Sequence, residues 1–368
     1  MYYITLILLL FLCLVEIHTR KPNQYGFYVA YLLMTAIATF RYGQLGDYFA
    51  YAYLYHHPEA IAAKDPGFAL LIMFFSETLG IEYIPFVSTM SFLCMALAFP
   101  FFAKSCKGSA IALLFFYAYT FIQGPMSAYR QGLCTSLLLC MYPLLCEKKY
   151  VPYYTIVLLG CTIHMSFIIA IIIPFVIKFK HFNEPYVVVV IMAFIVLATF
   201  QIDYTRYLPS FLQDRTGGYF EVDKNHEILL QMILRTLIVI PLLLYRPAVN
   251  SDAYRAKAMC ITGFIMYCFL SGSVLTGGRL EYFFRTFLCL FVASVLITGK
   301  RKSMMSGLVL TYLITIHTFM WFKNIDFART NGGYRAHVSW YNFPYVSVFN
   351  KEELWQYSPI ESYSIYLE

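Results

Sequence analysis

The stretch PYYTIVLLGCTIHMSFIIAIIIPFVIKF, Pro152 to Phe179, decides how this chain is arranged. At about 28 residues it would reach roughly 42 Å as one helix and overshoot a single bilayer crossing. Lys148 and Lys149 precede it, Lys178 lies at its end and Lys180 follows. Basic loops collect on the cytoplasmic face, so basic residues at both ends require an even number of crossings. A break at GCTIHMS meets that requirement with two short helices and brings His164 to the outer boundary. One long tilted helix is the alternative, and it inverts everything downstream.

The rest of the chain has the same character. Its 368 residues are 60% hydrophobic and 13% charged, with 34 Phe, 33 Tyr and a mean hydropathy of +0.64. An ordinary soluble domain carries about 25% charged residues. Apolar runs recur at 2 to 18, 25 to 40, 84 to 103, 109 to 122, 132 to 146, 152 to 179, 186 to 200, 228 to 245, 256 to 275, 281 to 298 and 304 to 322. Runs of that length mark an all-α, polytopic membrane protein, with 1–322 as one helical domain and 323–368 as an aromatic-rich tail. The first run has no basic segment before it and no A-x-A-like site after it, so it is expected to remain as an anchor. Of the 10 cysteines, all but Cys106 lie in or at the ends of apolar runs without CxxC spacing. They read as packing residues, not as a disulfide frame or a metal site.

The net charge of +7 is distributed in a telling way. Basic clusters fall at Arg20-Lys21, Lys104/Lys107, Lys148-Lys149, Lys178/Lys180, Arg246/Arg255/Lys257 and Lys300-Arg301-Lys302, all in short loops. The positive-inside rule places these on the cytoplasmic face. The segment 67 to 80 is then too short to cross and is expected to be a re-entrant or interfacial helix on the outer face. This walk predicts about twelve transmembrane helices with both termini outside. Its outer loops are 41–83, 123–131, around His164, 201–227 and 276–281, followed by the tail.

Four outer-face arginines, Arg41, Arg130, Arg279 and Arg285, stand at or near helix ends, where charge is costly unless paired or functional. A guanidinium fork suits phosphate oxygens, so a lipid diphosphate is a natural guest. Snorkelling, or pairing with Asp47, Glu77 or Glu281, is the plainer account. Arg130 follows the turn signal Gly124-Pro125 and opens a helix, where an anion is favoured at the free N–H groups. His164 with Ser166 is either a packed histidine or a base. Asp47 precedes Tyr48, Tyr51 and Tyr55, spaced along one helical face; it is an N-cap, an arginine partner, or both. His56-His57 lacks metal-ligand spacing, and no phosphate loop or dinucleotide fingerprint occurs, so no metal, cofactor or nucleic acid is expected. Trp340, Tyr341, Phe343, Tyr345 and Trp355 offer flat faces for sugars or anchors at the headgroups.

Several of these stretches, in order, resemble the EpsG branch of the Wzy-type polysaccharide polymerases. RYGQLGDYFAYAYLY from Arg41 is similar to the family's Arg, Gly, Asp-Tyr and spaced tyrosines. DPGF from Asp65, YRQGLCTSLLL from Tyr129 and IHMSF from Ile163 resemble its acidic-Pro-Gly-aromatic, Arg-Gln-Gly and His-x-Ser motifs. RLEYFFR from Arg279 and WYNFPYVSVF from Trp340 resemble its later arginine-rich helix start and tail. Leu45, Asp65 and Phe68 stand where the family more often has Gly, Glu and Tyr, changes that bear on specificity.

The resemblance implies a GT-C-like membrane glycosyltransferase in a bacterial cytoplasmic membrane, with its site facing outward. It would join polyprenyl-diphosphate-linked oligosaccharide units without nucleotide sugar or metal, alongside partners such as a chain-length regulator. On that reading Arg41, Arg130, Arg279 and Arg285 bind the diphosphate and His164 is the base. Asp47 orients an arginine or the acceptor, and Tyr48, Tyr51, Trp340 and Tyr341 face sugar. A flippase of the same lipid would also carry arginines, but with charges deep in its spans to line a path. A ligase that passes the glycan to another acceptor shares the chemistry and stays open.

Overall fold

The apolar runs are largely helical over their described residues in the computed structural model, which describes the chain apart from Gly46 and residues 201–226, 272–273, 299–303, 332–333, 336 and 358–368. Most of the expected outer loop 201–227, the Lys300-Arg301-Lys302 cluster and the end of the tail therefore lie outside the described residues. Among the described residues there is no β-strand, only an isolated antiparallel bridge between Arg41 and Ser347. Among the described residues four helices are long and apolar enough to cross a membrane: Tyr2–Thr19, Tyr83–Ser105, Thr276–Ile297 and Met304–Thr330. Shorter apolar helices include Pro66–Thr78, Ala110–Phe121, Tyr150–Ile163, Met165–Lys178, Tyr186–Thr199 and Gln231–Leu244.

The opening stretch does break where length and charge require. The helix Tyr150–Ile163 stops at His164, whose backbone is extended with φ −152° and ψ 107°. A 3₁₀ segment, Met165–Ile172, and a short helix, Ile173–Lys178, follow. The segment expected on the outer face is also short, a helix Pro66–Met73 that widens into a π turn over Phe74–Thr78. Asp65 occupies its N-cap position and Pro66 its first turn, where the missing proline N–H costs nothing.

Two expectations about boundaries change. The loop expected at 276–281 is helical, within the helix Val274–Arg285; Arg279 lies inside that helix and Arg285 is its last residue. Within this stretch Glu281 is paired with arginines of the same unit, as described below. The tail was expected to begin at 323, but the helix Met304–Asn331 runs through that point without a break.

The chain forms two compact units, Met1–Ile168 with His317–Glu368, and Ile169–Ile316. In the first, Tyr2–Thr19 buries Leu6, Leu9, Leu12 and Cys13 and turns Ile4, Ile7, Phe11 and Leu14 outward. An all-round apolar helix with one exposed apolar face is what a lipid surface calls for. Buried in the same helix, the Glu16 carboxylate accepts from Asn23 N at 2.8 Å, Ala110 N at 2.8 Å, Ile111 N at 3.1 Å and Ser109 Oγ at 2.8 Å. It caps the helix Ala110–Phe115 from another element, satisfying N–H groups that a helix start leaves open. The second unit packs Tyr254, Ala258, Ile261, Phe264 and Tyr267 of the helix Asp252–Phe269 against Val187 and Ile191, and against Met232 and Val239.

Candidate active site

The site in the first unit is built where two backbone irregularities meet. Gly67, the second residue of its short helix, lies so close to the helix Tyr150–Ile163 that a Cβ there would stand 2.1 Å from Thr162 Oγ1 and 3.0 Å from the Thr162 carbonyl carbon. That contact carries Asp65 to the break at His164. An N-cap aspartate ordinarily accepts from its own helix, but Asp65 makes no such bond. Instead its Oδ1 accepts the Met165 N–H at 3.1 Å, and its Oδ2 is bound by Nη1 of Arg130. His164 Nδ1 stands 4.0 Å from the same Oδ2.

Asp65 is thus one carboxylate shared by an arginine, a histidine and the amide that the helix break sets free. Burial alone would raise its carboxyl, but the His164 interaction, the Arg130 charge and the Met165 N–H bring it below the ordinary carboxylate range. Arg130 sits over the rings of Tyr51 and Phe68, at 5.5 and 5.6 Å, and its Nε donates to the Tyr51 hydroxyl at 3.3 Å.

The second arginine is handled differently. Arg41 ends the helix Gln24–Phe40 and is 1% exposed, between the rings of Tyr129 at 4.8 Å and Tyr48 at 5.6 Å. One Nη2 bond goes to the Tyr129 hydroxyl. Among the described residues no carboxylate pairs with it, and its Nε and Nη1 make no hydrogen bond. Tyr51 and Tyr129, with ring centres 4.8 Å apart, join the two arginine sites into one aromatic wall.

Several predicted residues take other places. Asp47 holds the N-cap position of the helix Tyr48–His56 without capping through its side chain; it is exposed and forms no ion pair with Arg41. The carboxylate beside an arginine is Asp65, because the close pack at Gly67 brings that segment in. Tyr48, Tyr51 and Tyr55 do share a face, but it is buried in the core with Phe68 and Phe86. Trp340 and Tyr341 are exposed, at 46% and 66%. His57 pairs at the surface with Glu59.

In the second unit Glu281 stands between two arginines, 2.7 Å from Arg235 Nε and 3.5 Å from Arg285 Nη1. Arg235 also donates to Gln231 Oε1 at 2.6 Å and lies 3.8 Å from the centre of the Tyr267 ring. Charges therefore do not only crowd the outer loops, as the sequence suggested: Arg235, Glu281, Arg285 and Glu16 are buried within helices. The plainer account of Arg285, pairing with Glu281, is the one seen.

An all-α architecture with apolar helices around a cationic, aromatic-walled site defines a membrane protein. The model of the EpsG family matches residues 24–345, and the chain belongs to that family, one of Wzy-like polysaccharide polymerases. The match covers Arg41, Asp65, Arg130 and His164. No curated protein and no solved structure matches the chain.

Proposed function

We propose that this protein joins polyprenyl-diphosphate-linked oligosaccharide units on the outer face of a bacterial cytoplasmic membrane. The observation that carries the reading is Arg41, a buried guanidinium whose Nε and Nη1 have no acceptor. A desolvated cation without a counter-charge is expensive, and an incoming diphosphate supplies the missing charge.

The reaction follows from the arrangement around it. A sugar hydroxyl of the acceptor attacks the anomeric carbon of the donor, and the bond from that carbon to the diphosphate oxygen breaks. Arg41 and Arg130 take up the charge that grows on the leaving diphosphate, in a site that keeps water out. His164, with Nδ1 toward Asp65, has Nε2 to accept the proton of the attacking hydroxyl. Asp65 holds Arg130 and the Met165 amide, and so keeps cation and base in register.

On the topology expected from the sequence, about twelve crossings with both termini outside, this site faces outward. The exposed Trp340 and Tyr341 offer flat faces for sugar rings. Arg285, paired with Glu281 in the second unit, is not assigned to the diphosphate. Incubating the purified protein with a defined polyprenyl-diphosphate-linked repeat unit is expected to give a ladder of products. Folded Arg130→Ala or His164→Ala protein that makes the same ladder removes this mechanism.

A further inference from the structure

The C-terminal segment is tied to the backbone that bears Arg41. Val346 O accepts the Tyr42 N–H at 2.9 Å and Phe40 O accepts the Val348 N–H at 2.8 Å, on either side of the Arg41–Ser347 bridge. Gln44 Nε2 donates to Pro344 O at 2.7 Å, and Tyr345 Oη to Ile37 O at 3.1 Å. Gly43, in the left-handed region at φ +62°, leaves room for Leu354; a Cβ there would meet Leu354 Cδ2 at 2.2 Å. Leu45 is left-handed too, at φ 72°. The Arg41–Leu45 turn is therefore held in a shape that ordinary side chains resist, and the tail holds it.

Two buried hydroxyls face this same turn. The Tyr48 oxygen lies beside the Gly43 N–H and the Tyr334 oxygen beside the Leu45 N–H, and both lie within the influence of the Arg41 charge. Neither phenolic hydrogen has an acceptor among the described residues. The Tyr334 ring is fixed by Phe343, 4.9 Å away, which packs in turn on Tyr2 at 5.8 Å. Leaving a buried donor unmade is costly, and native proteins seldom do so without a reason. Here four such donors, Arg41 Nε and Nη1, Tyr48 Oη and Tyr334 Oη, gather at one turn.

We infer that Tyr334 and Tyr48 are further ligands of the oxyanion bound by Arg41, so that the C-terminal segment completes the anion site instead of merely covering it. The ligand class is a phosphate-type oxyanion, and the inference rests on the reading of Arg41 as its primary ligand. Hydroxyl hydrogens can turn toward the anion without moving the fold, which makes the site pre-organised before the ligand arrives.

The test uses the full chain in nanodiscs, with farnesyl diphosphate, inorganic pyrophosphate and farnesol as probes. Wild type is expected to bind the two diphosphates and not farnesol, with farnesyl diphosphate the tighter if the guest is a lipid headgroup. Tyr334→Phe removes only the oxygen; it is expected to weaken diphosphate binding roughly tenfold while the melting temperature holds or rises. Tyr48→Phe should behave alike. Tyr334→Phe that binds as tightly as wild type, while Arg41→Met loses binding, overturns the role of Tyr334 and leaves the reading of Arg41 standing. Wild type that binds neither diphosphate overturns both.

Discussion

Asp65 accepts the backbone N–H of Met165 at 3.1 Å, across 100 residues of chain. The bond joins two local irregularities, an N-cap that does not cap its own helix and a helix that stops in the middle of an apolar run. Each would be a defect alone. Together they bring Arg130 and His164 to one carboxylate, which is how a site is placed where local rules of structure are broken.

Asp65→Asn tests that joint. Breaking a largely buried ion pair at one partner leaves Arg130 without its counter-charge, at a cost of about 3 kcal/mol. The variant is expected to melt lower in detergent and to lose the product ladder by roughly a hundredfold. A folded variant with an unchanged ladder removes Asp65 from the site.

The same carboxylate gives a pH signature. Its folded-state titration lies below its ordinary value of 3.8. Such a group adds stability above its unfolded value, and the contribution is lost as pH falls through the folded one. Melting temperature should therefore drop as pH falls below about 4, and the curve for Asp65→Asn should be flatter over that window.

Arg41→Met separates stability from function. Replacing a buried cation that lacks a carboxylate with an apolar chain of similar length removes a desolvation cost. The variant is expected to melt higher than wild type while its polymer yield falls by roughly a hundredfold or more. A lower melting temperature would mean that the charge is compensated in the resting protein.

Gly67→Ala probes the close approach. The added Cβ meets the Thr162 backbone as well as its side chain, so the helix Pro66–Met73 must move. Overpacking of this kind costs about 1 to 3 kcal/mol. Ladder yield should fall with stability, because Asp65 moves with the helix.

Glu16→Gln is the structural contrast. Its carboxylate serves four donors, and an amide turns N–H groups toward some of them. A loss of about 2 to 3 kcal/mol in stability is expected. Polymerisation per folded molecule should stay the same, since Glu16 lies on the packing between helices.

The helices were legible because an apolar run of sufficient length has few alternatives, and the break at His164 followed from a conflict between length and flanking charge. Arg41 and Arg130 stood out as charges beside hydrophobic helices. Asp65 was passed over in favour of Asp47, which is nearer to Arg41 along the chain; the approach at Gly67 that decides between them is a tertiary contact. A sequence signal was available, since DPGF opens an apolar helix too short to span. Arg235 and Glu16 left no local trace, because their partners lie 46 and up to 95 residues away.

The tie between the tail and the Arg41 turn also sets when the site can exist. Gln44 and Pro344 are 300 residues apart. At ribosomal speeds of about 5 to 20 residues per second, roughly 15 to 60 s separate their synthesis. The Arg41–Leu45 turn therefore stays without its partner until the segment around Pro344 has been made.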